Sequence, residues 1–329
     1  MIGRRQFITL IGSAAAAWPL AARAQQPTMP VIGFLGTDSP ELYAFRLRAF
    51  REGLRETGYV EGGNVAFEYR WAEGHSDRFP ALLAELVSLK VNLIGAFAGN
   101  SPAVAAKAAT ATIPILFAIG GDPVAVGLVA SLSRPGGNIT GVATLSVELG
   151  AKRLEVLHEL VPTTSSIALL VNPTDPANAD PLSRDLQVAA RTRGVELHIL
   201  HASTESDFDT VFASLRQLRP SALVIGGDPI FNSRTQLLTA LSARHAVPTI
   251  YPYREYVTAG GLVSYGDSLR DSYRLVGIYA GRILKGEKPA DLPVQQSTKI
   301  EMIINLTTAK AIGLTIPLSL LGRADEVIE

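Results

Sequence analysis

The chain has 329 residues, enough for two α/β lobes or one large domain, with 30 basic against 30 acidic residues and no cysteine. That balance gives no electrostatic reason to bind nucleic acid or an anionic membrane. The lack of cysteine excludes a lipoprotein anchor, a thiol nucleophile and a thiolate metal site. In chain order the first feature is a targeting segment over residues 1–24. Arg4 and Arg5 precede an apolar run from Phe7 to Leu20 that is too short and Ala-rich to span a bilayer. Ala22, Arg23 and Ala24 give the small-x-small pattern of a cleavage site, with cutting expected after Ala24. The arginine pair followed by Gln6, Phe7 and Ile8 reads as a twin-arginine-like export signal, although Gly3 before the pair leaves the Sec route open. A buried helix opening a cytosolic protein is the competing reading; the order of charge, apolar run, small residues and polar Gln25 favours export. Without the three arginines of that segment the chain carries 27 basic against 30 acidic residues, a net of −3. No second apolar run of about 18 residues follows, so the exported chain is expected to be soluble.

Beyond Pro30 strands and helices alternate. Strands are expected at 31–36, 65–69, 91–97 and 115–119, with helices at 41–57, 78–88, 103–110 and 124–132 between and after them. The turn cluster Ser133 to Asn138 interrupts this series, and the alternation then restarts. Further strands are expected at 139–144, 167–171, 195–200, 222–225, 249–251, 262–265 and 300–305. Helices are expected at 148–160, 184–193, 207–218, 235–245, 268–284 and 308–312. Short, continuous, β-rich apolar runs separated by helices are what a parallel sheet covered on both faces requires. The fold class is therefore α/β, built either as two doubly wound parallel-sheet lobes or as one closed (β/α)8 barrel.

In open α/β sheets ligands bind beyond the carboxyl ends of the strands. Thr37 and Asp38 follow the first strand and either cap the next helix or face a ligand. Asn100 and Ser101 follow the third. Ser101 is expected as N-cap with Pro102 at the first helical position, so the free amides and the hydroxyl there suit a carboxylate. The amides of Gly120 and Gly121 are placed to complete that cradle, while Asp122 is expected to cap the following helix. In the second series Asn172 and Asp228 stand at equivalent strand ends. Asp228 is the acid expected to meet a ligand ammonium, with a helix cap as its alternative, since a carboxylate in a closed cleft needs a cation or donors. Four of the nine tyrosines, Tyr251, Tyr253, Tyr256 and Tyr265, crowd around Arg254 and Glu255. Tyr251 and Tyr253 are candidates to stack on a ligand, and Arg254 and Glu255 to pair with each other.

Several long segments carry a resemblance. They are GDPVAVGLVASLSRPGGNITG at 121–141, REY at 254–256 with AGGLVSYG at 259–266, ILKGEKPADLPVQ at 283–295, and INL at 304–306 with TAK at 308–310. Together these resemble the ABC-transporter substrate-binding proteins of the tryptophan/tyrosine-type family, over essentially the whole exported chain. The resemblance implies a type I periplasmic binding fold: two α/β lobes joined by a three-stranded hinge, closing on a ligand. The first lobe would be 30–141 plus about 261–291, and the second 142–260 plus about 292–329. It implies a periplasmic solute receptor that takes a small molecule, an aromatic or other amino acid, and delivers it to a membrane ABC permease. Amino-acid receptors of this fold commonly hold the α-carboxylate near the position of Ser101. A monomer is expected, without cofactor, metal or nucleic acid.

No catalytic signature accompanies these features. The histidines form no HExxH pair, and His198 and His201 fall on opposite faces of an expected strand end. GxSxG, GxxxxGK[ST] and a GxGxxG after the first strand are all missing. The chain is expected not to be an enzyme. A sensory receptor of the same fold, signalling to a membrane kinase or chemoreceptor, is the alternative, and an exported α/β enzyme a third.

Overall fold

The computed structural model describes residues 29–97, 99–144 and 146–329. The expected export signal over 1–24 lies outside the described residues. Two sheets organise the chain. The first contains β1 (Val31–Gly36), β2 (Ala66–Trp71), β3 (Leu93–Phe97), β4 (Ile115–Ile119), β5 (Ile139–Ala143) and β11 (Gln295–Gln296), in the order β11-β5-β4-β3-β1-β2. Every pairing in it is parallel. β3, β4 and β5 are buried along their whole length, because helices cover both faces and each residue of LIGAF, ILFAI and ITGVA meets apolar neighbours.

The second sheet contains β6 (Ser166–Val171), β7 (Glu196–His201), β8 (Ala222–Ile225), β9 (Thr249–Tyr251), β10 (Val263–Asp267), β12 (Ile300–Asn305) and β13 (Glu326–Ile328). Its order is β13-β12-β10-β9-β8-β6-β7, parallel except for the antiparallel β10–β12 pair. The fold is thus two parallel-sheet α/β lobes. By sheet membership the chain crosses after Ala143, after Asp267 and after Gln296, a few residues beyond the expected 142, 261 and 292. The second crossing lies later because β10 stays hydrogen-bonded between β9 and β12, and only the helix behind it returns to the first lobe.

The helices that position the cleft are α1 (Pro40–Glu56), α2 (Phe79–Ser88), α3 (Asn100–Ala109), α4 (Gly150–Leu160), α5 (Pro176–Thr192), α6 (Asp207–Leu218), α7 (Pro229–Ser233), α8 (Thr235–Arg244), α9 (Arg254–Thr258) and α10 (Leu269–Leu284). α1 and α10 pack backbone to backbone. A Cβ on Gly277 would stand 2.0 Å from the Phe50 carbonyl oxygen, and one on Gly53 would stand 1.8 Å from that of Arg274. In the first lobe Phe34 lies under Tyr43, Phe50, Tyr69, Trp71 and Phe97, with ring centroids 5.1–6.3 Å away.

One expected helix is absent. Residues 124–132 form turns: Asp122 Oδ1 accepts the Val124 amide at 2.8 Å, and Gly127 takes φ 73°. An apolar run held between Pro123 and a left-handed glycine cannot propagate a helix. Asp122 does cap, but what it caps is a turn.

Candidate functional site

The carboxyl ends of β1, β3 and β4 in the first lobe face those of β6 and β8 in the second. Between them lies a cavity of about 280 Å³. Thr37, Asp38, Asn100 and Ser101 line it from one side, and Asn172, Asp175 and Asp228 from the other. Its volume is just below the usual range for small-molecule sites, about 300–1,000 Å³. A smaller inner space of about 50 Å³ is bordered by Arg46, Gly120, Asn178, Asp228 and Tyr253. A flanking groove of about 580 Å³ runs between α1 and α7–α9, past Phe45, Arg46, Tyr253 and Glu255. A larger depression of about 910 Å³ opens on the outer side of α1 and α10. It reaches none of these strand ends, and most of its charges pair with one another: Arg274–Glu56 at 2.6 Å, Arg254–Glu301 at 2.9 Å and Arg270–Glu52 at 3.0 Å.

The lobes touch across the cleft. Asn100 donates through Nδ2 to Asp175 Oδ1 at 3.1 Å. A Cβ on Gly99 would stand 3.0 Å from Pro229 Cγ, and Phe45 of α1 packs against the apolar core of the second lobe.

Asp228 lies three residues beyond β8 with 4 % of its surface exposed. Its Oδ1 accepts the Ile230 amide at 2.9 Å, capping α7, and Asn172 Nδ2 lies 3.2 Å from both carboxylate oxygens. The helix-cap alternative therefore holds, and the same side chain also borders the cleft. Burial pushes its carboxyl up to about 7 against these donors, with Asp175 and Asp38 adding repulsion. Asp175 accepts from Asn100 and from Asn178 Nδ2 at 2.8 Å; burial raises its carboxyl too, and that of Asp38. The Oδ1 atoms of Asn100 and Asn178 are buried without a hydrogen-bond partner. Both lie beside Gly121, where a Cβ would come within 2.9 Å of Asn178 Oδ1. The cleft is thus lined mainly by acceptors, a surface suited to a cation or to N–H and O–H donors.

Other expected residues are placed differently. Ser101 is not the N-cap of α3: the helix begins at Asn100 and Gly99 is the cap, at φ 123°, because the close approach of Pro229 leaves room only for glycine there. Ser101 instead stands in the first turn, exposed on the cavity wall. Tyr251 packs in the second-lobe core, stacked on Tyr256 at 4.8 Å, and lines none of the three cleft spaces. Tyr253 does line the cleft, with its hydroxyl engaged by Ser146 and Thr144. Arg254 does not pair with Glu255; it joins Glu301 at 2.9 Å and Glu326. Sequence reasoning missed Arg46, Asp175 and Asn178. For Arg46 a signal existed: it stands among Tyr43, Leu47 and Phe50 on the apolar face of α1, where a lone cation is out of place.

The fold and cleft define a two-lobed solute receptor. The family model for "ABC transporter substrate binding protein" matches residues 31–328, and the chain belongs to that family. It is 29% identical over 268 residues to a "Tyrosine-binding protein" of Clostridioides difficile (strain R20291), covering 81% of this chain and 76% of that relative. Among solved structures it is similar to an ABC domain in complex with L-Trp from Streptococcus pneumonia, with TM-score 0.83 and 24% identity over 92% of this chain and 100% of that one. A ligand-free, open structure of a substrate binding protein with adhesive properties from Clostridium difficile aligns with TM-score 0.66 and 25% identity, over 91% of this chain and 99% of that one. The protein is a solute-binding receptor; its family implies a small-molecule ligand, an ABC permease as partner and a place outside the cytoplasm.

Proposed function

We propose that the protein captures an aromatic α-amino acid as its zwitterion between the two lobes and hands it to a membrane ABC permease. The observation that carries this reading is Asp228, a carboxylate 4 % exposed that borders both the main cavity and the inner space and has donors but no ion-pair partner among the described residues. An α-ammonium supplies the missing charge, and a desolvated ion pair of this kind is worth about 2–5 kcal/mol when one partner is removed. The aromatic side chain is proposed from the named ligands of the relatives. Hinge closure over the ligand shifts an open–closed equilibrium, and the closed form is the one presented to the permease. The receptor works as a monomer without turnover of its ligand. It is exported by the signal over residues 1–24, by the twin-arginine or the Sec route, and cleaved after Ala24.

A thermal-shift screen of the chain from Gln25 onward tests this against amino acids, aromatic acids, amides, nucleosides and sugars. A ligand at 100 times its dissociation constant adds about 2.7 kcal/mol to stability. A saturable rise with L-tyrosine or L-tryptophan is expected. A rise only with compounds that lack an ammonium group overturns the reading.

A further inference from the structure

We propose that Arg46 is the anchor for the ligand's carboxylate, opposite Asp228; the inference rests on the amino-acid reading above and assigns the other end of the zwitterion. Arg46 comes from the middle of α1, in the first lobe, and is 4 % exposed. It borders the inner space of about 50 Å³ that Asp228 also borders, and it borders the flanking groove as well. One cavity thus has a guanidinium from one lobe and a carboxylate from the other on its walls.

The guanidinium is underused for a buried group. It has five N–H donors. Nη1 donates to Leu42 of its own helix at 3.2 Å, and the rings of Tyr43 and Phe45 lie 5.2 Å and 4.8 Å from Cζ. Glu255 and Asp38 act on it at a distance, but no ion pair joins it to a carboxylate among the described residues. Taking a cation out of water without such a partner costs several kcal/mol. Arg153 shows the contrast. It is fully buried with Nη2 left unpartnered, but its Nε and Nη1 are taken by the carbonyls of Tyr265 and Ser146, both at 2.8 Å, and it borders none of the cleft spaces. Arg153 ties backbone together, whereas Arg46 faces the space where a ligand would lie. Its planar fork matches a carboxylate with two parallel hydrogen bonds.

Charge balance points the same way. Asp38, Asp175 and Asp228 border the main cavity, and the arginine on its wall, Arg234, is already paired with Glu205, so an anionic ligand group there meets repulsion. The first turn of α3, the other place for a carboxylate, already has Asp175 in front of it through Asn100. The inner space beside Arg46 is where the negative end of a zwitterion finds a cation.

Calorimetric titration with L-tyrosine and L-tyrosinamide, whose carboxylate is replaced by a neutral amide, tests the anchor at pH 7.5. The unmutated protein is expected to prefer the acid by about 30-fold or more, and Arg46→Met to lose that preference by weakening tyrosine while changing tyrosinamide only about threefold. Arg46→Lys, which keeps the charge without the fork, is expected to retain part of the preference. Equal affinity of the unmutated protein for both compounds overturns the anchor and leaves the ammonium site at Asp228 standing. Equal loss of both compounds in a folded Arg46→Met also overturns it, because a structural role moves both ligands alike. An unmutated protein that binds neither compound overturns the amino-acid reading, and the anchor with it.

Discussion

Asn100 and Asp175 belong to different lobes, yet Asn100 Nδ2 lies 3.1 Å from Asp175 Oδ1. The bond spans the cleft mouth, so it favours the closed arrangement in the absence of ligand. Asn100→Ala removes it, at a cost of about 0.5–1.5 kcal/mol for a typical hydrogen bond. The radius of gyration of the ligand-free variant, measured by small-angle scattering, should exceed that of the unmutated protein, and ligand affinity should fall about two- to tenfold. Identical scattering curves would show that the bond does not hold the lobes.

Affinity should depend on pH through Asp228. Its carboxyl titrates near 7 in the ligand-free protein because burial disfavours the charge. An ammonium beside it lowers that value in the complex, so below pH 7 binding must expel a proton. The dissociation constant should rise roughly twentyfold between pH 7.5 and 5.5. Asp228→Asn should remove that slope along with most of the affinity. A flat profile in the unmutated protein would separate Asp228 from ligand charge recognition.

The same residue should cost stability. A carboxyl that titrates near 7 when folded and near 4 when unfolded binds its proton more tightly in the native state. Stability from this group is present below pH 4 and is lost as pH rises to about 7. Asp228→Asn keeps an oxygen to accept the Ile230 amide and removes the charge. Thermal melts at pH 8 should therefore show the ligand-free variant more stable by about 1–3 kcal/mol, a trade of stability for function. A lower melting temperature would mean that the carboxylate contributes more as a cap than it costs as a buried charge.

The α1–α10 contact should tolerate no side chain at Gly277. A Cβ there meets the Phe50 carbonyl oxygen at 2.0 Å and the Leu54 nitrogen at 2.8 Å, both backbone atoms that cannot yield alone. Gly277→Ala should lower stability in urea unfolding by about 3 kcal/mol, despite the better helix propensity of alanine. An unchanged midpoint would show that the helices can slide apart freely.

Most strands were legible because burial on both faces leaves an uninterrupted apolar run, as in Ile115–Ile119. The helix expected at 124–132 was not, since its apolar content matches a helix while Gly127 takes a conformation that ends one. Strand ends located Thr37, Asp38, Asn100, Asn172 and Asp228 at the cleft, because in a parallel sheet topology alone places them. Tyr251 could not be placed that way: it ends β9 and packs into the second-lobe core on Tyr256, whereas Tyr253 lies beyond the strand, at the start of α9, and reaches the cleft. A lone cation on the apolar face of α1 marked Arg46 as unusual, but what it and Asp175 face was missed for a different reason. A helix in the first lobe and a turn in the second meet only after the lobes close, and that proximity is not written in local sequence.

The most direct measurement is a crystal structure of the chain from Gln25 onward grown with L-tyrosine. The account predicts the amino acid enclosed between the lobes, its ammonium nitrogen within about 3 Å of an Asp228 carboxylate oxygen. Tyrosine bound outside the cleft, or bound within it with the ammonium turned away from Asp228, would contradict the account.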